Sequence, residues 1–280
     1  MSARSLWEWL SSPTSARSPA IVRPSPSKQR VSGESSPGGA GVVKRLDWAS
    51  SSAQTMPKLL DGRGEETVSH VLSAFVLSQL AVAIPARFAY SDWCLLYSTA
   101  VHGISLNTFY ARTAGCGCCV LCIKDGSGNV FGAFCTEWRE PSNPPKFYGC
   151  GETFLYSVER VEGLPPLPLG DQPPPHEALH VHRWSGENAF FMFSHRDHLA
   201  MGSGGHFGLW LDAELLHGTS GPSDTFRNEC LCRQSAPCAR SDEAPAVGEF
   251  RCEVLEVWGM EHAAISRRRH KQYLDGVRPR

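Results

Sequence analysis

The chain has 280 residues, 41% of them hydrophobic, with a formal net charge of -1 and a sequence pI near 6.8. That length and apolar content can supply one large core. The near-neutral balance excludes a whole-chain field that would draw in nucleic acid or an anionic membrane, so an electrostatic partner must be met by a local patch.

The opening residues hold only a short apolar fragment, Leu6, Trp7, Trp9 and Leu10, broken by Glu8, too little for a secretory signal core. Together with an odd count of 11 cysteines, this fits reduced thiols of the cytoplasm or nucleus rather than a secreted disulfide framework. The arginine- and serine-rich start also has the character of a mitochondrial transit peptide; a disordered tail is the stronger expectation. Residues 1–57 contain 14 serines and 6 prolines and too little apolar surface to offset ordering entropy, so they read as a flexible leader.

From Glu65 onward Val68, Val71, Leu72, Phe75, Val76 and Leu80 recur at three- and four-residue spacing until Pro85, which predicts a buried amphipathic helix at the start of the domain. Its polar interruptions leave it short of the roughly 20 apolar residues a membrane span requires. The period then shifts toward two, predicting a mostly antiparallel β fold. Residues 93–98 form the first strand segment. Residues 118–123 and 130–136, around a Gly/Asn-rich turn, form the clearest hairpin. A second hairpin is predicted from 179–184 and 189–193 around Ser185-Gly186-Glu187-Asn188, and a third strand pair around the glycine-rich segment 201–208. Two surface insertions interrupt the pattern, at about 164–179, where six prolines fall within residues 164–175, and at about 233–249 before an apolar strand at 252–258. The end, 263–280, is a basic tail with Arg267, Arg268, Arg269 and Lys271 clustered, a nuclear-import signal or solvated charge.

Seven segments carry a family resemblance: WCLLYSTAVHGISLNTFY at 93–110, VFGAFCTEW at 130–138, FYGCGETFLYS at 147–157, HRWSGENAFFMF at 182–193, GGHFGLWLDAELLHGTS at 204–220, TFRNECL at 225–231 and LEVWGME at 255–261. In this order the chain resembles the TLDc domain of oxidation-resistance proteins, over roughly residues 58–262. The resemblance implies an α+β, mainly β fold: two antiparallel sheets packed as a sandwich with flanking helices. It also implies a role in resisting oxidative stress and engagement of the peripheral sector of the vacuolar-type proton ATPase. The domain is expected to act as a monomer, without a cofactor and without specific nucleic-acid binding.

Several motifs invite chemistry. Cys119 and Cys122 have the spacing of a zinc knuckle, but residues of a strand alternate faces, and a buried strand is the preferred reading. His180 and His182 would share one face of a strand, without an assured third ligand. His195-Arg196-Asp197 copies a kinase catalytic loop without its companion motifs, and Gly202 to Gly208 precede a strand rather than a phosphate-binding helix. The resemblance marks Gly151-Glu152 and Gly186-Glu187 as signature positions; they are candidates for partner contact, and solvated or amide-capping turn carboxylates are the preferred reading. Cys230, Cys232 and Cys238, beside the second insertion, are the candidates for redox-active thiols; with Cys252 they could make a metal or disulfide set, and exposed, incidental thiols are the preferred reading of the four. No nucleophile, base and orienting group assemble in the sequence. The leading expectation is therefore a non-catalytic interaction domain; the alternative is a thiol-based antioxidant enzyme using an exposed cysteine.

Overall fold

A computed structural model describes residues 56–88, 90–161, 176–232 and 247–260. In chain order they form β1 (Leu59–Leu60), α1 (Ala74–Ala83), a 3-10 turn (Ala86–Phe88), β2 (Trp93–Ser98), α2 (Thr99–His102), α3 (Leu106–Thr113), β3 (Cys119–Asp125) and β4 (Val130–Cys135). These are followed by β5 (Phe147–Tyr148), β6 (Phe154–Val161), β7 (His176–His182), β8 (Met192–Ser194), β9 (His198–Met201), β10 (Leu209–Asp212), β11 (His217–Ser220) and β12 (Gly248–Met260). The leader through residue 55, residues 162–175 and 233–246 of the insertions, and the basic tail lie outside the described residues.

The strands make two layers that share β12. In the first the order is β1-β2-β12-β3-β4-β6-β7; in the second it is β5-β8-β9-β10-β11-β12. Apart from β1 beside β2 the pairs are antiparallel. Residues 248–251 of β12 pair with β11, and the rest of the strand pairs with β3 and β2. The α+β, mainly β sandwich is thus the observed architecture.

The centre of the first sheet is buried on both faces, which explains why β3 and β4 read as near-continuous apolar runs. Cys119, Leu121, Ile123, Phe131 and Ala133 point into the core between the sheets. Val120, Cys122, Val130 and Phe134 face the opposite way, where Val76, Leu77 and Leu80 of α1 cover them together with Trp93 and Trp258. Cys119 and Cys122 therefore lie on opposite sides of one sheet and cannot ligate a common ion.

Gly132 makes one crossing in this sheet workable. It sits in register between Cys122 and Tyr156, and the Tyr156 hydroxyl donates to the Leu121 carbonyl at 3.2 Å. A Cβ on residue 132 would stand 1.9 Å from that carbonyl oxygen and 2.9 Å from the phenol oxygen.

Three boundaries differ from the sequence reading. The helix starts at Ala74 rather than near Glu65, because the preceding amides have other acceptors. The buried Glu256 carboxylate accepts from His70 N at 2.9 Å and from Ser69 Oγ at 2.5 Å, and Ser69 Oγ accepts from Val71 N and Leu72 N. Ser73 then caps the helix through Val76 N, and the last helical turn closes at Ile84, before Pro85. Residues 176–179 and 248–249 belong to β7 and β12 rather than to insertions; both strands are prolonged by partners, β6 and β11, that a local reading does not see.

The hairpin expected across 179–193 does not form. Its turn exists, with Gly186 at φ 86°, but its arms join different layers. Leu179 and Val181 pair with β6 and pack toward α1, while Phe191 and Met192 enter the inter-sheet core. A turn signal sets a reversal of the chain without setting which sheet each arm enters.

The turn at His195-Arg196-Asp197 simply links β8 to β9, with His195 N bonded to the His198 carbonyl at 3.0 Å. His198 itself is 4% exposed, stacked against Phe193, His195 and Trp210, and its Nε2 meets no partner among the described residues. Burial, with the neighbouring His195 charge, lowers its pKa to about 4.

Two outcomes are expected from these packing arguments. Gly132→Ala should destabilise the domain by about 3 kcal/mol or more, since backbone rather than a mobile side chain must give way; urea unfolding measures this. His198 stays neutral in the folded chain but protonates near its ordinary pKa of about 6.5 when unfolded. Its contribution to stability is present above that value, falls with decreasing pH, and levels off below about pH 4. About 2 kcal/mol should disappear between about pH 7 and about pH 5. Urea midpoints at both pH values, compared with those of His198→Phe, isolate it: the variant should lose that part of the pH dependence.

Candidate functional site: four loops around two glycine–glutamate turns

Four connections converge: residues 149–153 between β5 and β6, 183–191 between β7 and β8, 202–208 between β9 and β10, and 221–228 after β11. Trp184 joins the first two. A Cβ on Gly151 would lie 2.6 Å from the Trp184 ring, so glycine is the residue that lets the indole lie against this turn. The ring is held from its other edge, where Nε1 donates to the Asn188 carbonyl at 2.7 Å, and it packs edge-on to Phe191 with centroids 5.4 Å apart.

Asn188 and Thr225 fasten the second turn to the other two loops. The Thr225 hydroxyl, fully buried, donates to Asn188 Oδ1 at 2.6 Å and accepts from Ser203 N at 2.9 Å. Asn188 Oδ1 also accepts from Phe190 N, while Ser185 donates through N to the Thr225 carbonyl and through Oγ to the Asp224 carbonyl. Gly204 leaves room for Asp224, since a Cβ there would stand 2.5 Å from its carboxylate. The glycine-rich segment thus serves as a turn between β9 and β10.

Each turn glutamate, Glu152 and Glu187, is paired with an arginine from elsewhere in the chain. Glu152 forms a two-pronged salt bridge with Arg87 of the 3-10 turn, and Glu187 accepts from Arg227 Nη2 at 2.6 Å. All four side chains remain exposed, at 41% and 51% for the first pair and 55% and 69% for the second. The Arg87 hydrogen bonds hold the Glu152 carboxyl below its ordinary pKa, so it is an ionised acceptor and not a poised general acid. Beside these pairs Trp184 and Phe190 are 41% and 37% exposed. The cluster offers oriented charge and aromatic surface on a rigid frame, the make-up of a protein-contact site.

Gly151, Glu152, Gly186 and Glu187 are therefore brought into one loop cluster. Cys230 and Cys232 lie together elsewhere, at the beginning of β12, and Cys238 is outside the described residues. Their reading as exposed thiols is corrected: Cys232 and Cys252 are buried and Cys230 is half-buried, because the chain on either side is drawn into the inter-sheet core. His180 pairs with Glu159 at 3.0 Å. Among the described residues no group of three or more His, Cys, Asp or Glu side chains is placed to hold a metal ion. Nor is any helix long and apolar enough to cross a membrane.

The sequence reading missed Arg87, Trp184, Asn188, Thr225 and Arg227. Trp184 stands next to a signature turn and was open to notice. The arginines carry no local signal, as Arg87 lies 65 residues from its partner and Arg227 lies 40 from its own.

The TLDc domain family model matches residues 66–261, and the chain belongs to this family. It is similar to Oxidation resistance protein 1 of Kluyveromyces lactis, 35% identical over 219 residues that cover 72% of this chain and 80% of the relative. It is also similar to human Nuclear receptor coactivator 7, at 36% over 195 residues, and to human Oxidation resistance protein 1, at 34% over 195 residues. Both alignments cover 69% of this chain, but only 17% and 19% of those longer proteins.

Thr225→Val, which keeps shape but removes the hydroxyl, should cost about 2 kcal/mol in urea unfolding because it leaves Ser203 N without its acceptor and takes one of two donors from Asn188 Oδ1. Glu152→Gln and Glu187→Gln should each cost less than about 1 kcal/mol, as expected of exposed ion pairs. The same unfolding series compares all three.

Proposed function

We propose that this protein is a non-catalytic interaction module of the oxidative stress response, and that it binds the peripheral sector of the vacuolar-type proton ATPase through the four-loop cluster. The stress role is suggested by the relatives named for oxidation resistance, and the ATPase by the TLDc resemblance. The observation that carries the interaction reading is the pairing of exposed Trp184 and Phe190 with two arginine-neutralised carboxylates on loops tied to both sheets. Aromatic and arginine side chains on a preorganised support give binding energy without a large ordering cost. The Arg87 hydrogen bonds that keep Glu152 ionised disfavour it as a general acid.

The test is titration of the purified peripheral sector with the full chain, following both binding and ATP hydrolysis. Saturable binding accompanied by a changed hydrolysis rate is expected. Trp184→Ala combined with Glu187→Gln should weaken binding about tenfold, equivalent to about 1.4 kcal/mol. Failure of a folded chain to bind would remove the ATPase as partner; binding that is indifferent to these substitutions would move the interface away from the cluster.

A further inference from the structure

Cys230 and Cys232 are set side by side in a way that the partner-binding reading does not use. Their sulfurs are 3.5 Å apart, and the Cys230 thiol also donates to the Cys232 carbonyl at 3.1 Å. Both converge on Gly248, the first residue of β12. A Cβ there would stand 2.6 Å from Cys230 Sγ and 2.8 Å from Cys232 Sγ, so the absence of a side chain at 248 is what gives the two sulfurs their common space. Leu231 between them is buried in the core and its N–H is bonded to Ser220 Oγ at 2.9 Å, which holds the short segment in place.

We propose that Cys230 and Cys232 are a redox-modification site that hydroperoxides convert into an intramolecular disulfide. Cys230 is half-buried and Cys232 buried, so Cys230 is the more accessible of the two to an oxidant. On ionising, Cys230 gives up its hydrogen bond to the Cys232 carbonyl and accepts from the Cys232 thiol and the Gly248 backbone; these bonds lower its pKa to about 7, and the same coupling raises that of Cys232. The reactive thiolate is therefore Cys230 and the resolving thiol Cys232.

The atoms balance in two steps. The Cys230 thiolate attacks one oxygen of the hydroperoxide, the O–O bond breaks, and a sulfenic acid forms; for hydrogen peroxide the other oxygen takes a proton and leaves as water. Cys232 then attacks Cys230 Sγ, its thiol proton leaves with the sulfenic oxygen as a second water, and the S–S bond closes. Two thiols are oxidised and one peroxide is reduced. Bringing the sulfurs to a bond length of about 2.0 Å requires roughly 1.5 Å of approach. A dithiol reductant of the thioredoxin class would reverse the change by exchange.

Elsewhere the described thiols with a shifted pKa, Cys118 among them, are all shifted upward. Burial raises the pKa of Cys122 and Cys252, and Cys119 is raised first by its hydrogen bond with Cys135 and then by burial. Cys150 is exposed, and among the described thiol–thiol contacts none joins it to a second sulfur.

The experiment exposes the full reduced chain to hydrogen peroxide in small molar excess, blocks the remaining thiols, digests without reductant and maps bridged peptides by mass spectrometry. A Cys230–Cys232 bridge, marked by loss of two hydrogen atoms from one peptide and reversed by dithiothreitol, is the expected result. Its initial rate should rise about tenfold between about pH 6 and about pH 8, following the thiolate fraction. Cys232→Ser should leave a dimedone-reactive sulfenic acid on Cys230, and Cys230→Ser should abolish oxidation at 232. Preferential oxidation of Cys150, a bridge from Cys230 to Cys238, or a reduced 230–232 pair at full peroxide consumption would each overturn the proposal. Because no partner is present in these reactions, failure here leaves the ATPase reading standing, and failure of that reading leaves this one.

Discussion

The thirteen-residue strand β12 is hydrogen-bonded into both layers, and the rest of the molecule hangs on that double membership. Its first residues complete the second sheet beside β11, and its remainder lies between β2 and β3 in the first. The pattern of its side chains follows: exposed and buried residues alternate over 248–253, and burial is continuous over 255–260, where one face meets the inter-sheet core and the other meets the α1 layer. Such a strand ties two sheets by backbone bonds as well as by packing, and so fixes where the loops at their ends must meet.

Glu256 shows how the third layer is attached. It is 1% exposed, a placement that is costly for a carboxylate unless every lone pair is engaged. Ser69 Oγ, His70 N and Trp258 Nε1 supply the donors. The strand shared by both sheets therefore also grips the segment that leads into α1, and the helix begins only where that grip ends. These three hydrogen bonds offset the cost of burying the carboxyl group and favour one placement of the helix.

The two candidate sites depend differently on this frame. The loop cluster is built by hydrogen bonds between connections that are remote in sequence, with Thr225 at its buried centre and Trp184 at its edge. The thiol pair needs only neighbours in sequence and one glycine of β12. The first is suited to present a fixed surface to another protein. The second is local enough for a covalent change to occur without taking the sandwich apart.

Much of this was legible in the chain itself. The β3–β4 hairpin follows from apolar runs around Asp125 to Asn129, whose turn is closed by the Asp125 carboxylate on Ser127 N and Asn129 N. The end of α1 follows from Pro85, and the family from seven ordered segments. Gly151-Glu152, Gly186-Glu187 and the pair Cys230 and Cys232 were also visible, because turn chemistry and residue spacing are local properties. Only the tertiary structure decided that residues 179–193 cross between layers, that α1 loses its first turns to Glu256, that Arg87 and Arg227 neutralise the signature carboxylates, and that Gly248 seats both sulfurs. Each of these is a meeting of residues far apart in sequence, and such meetings are set by which faces must be buried together, a condition that no local pattern contains.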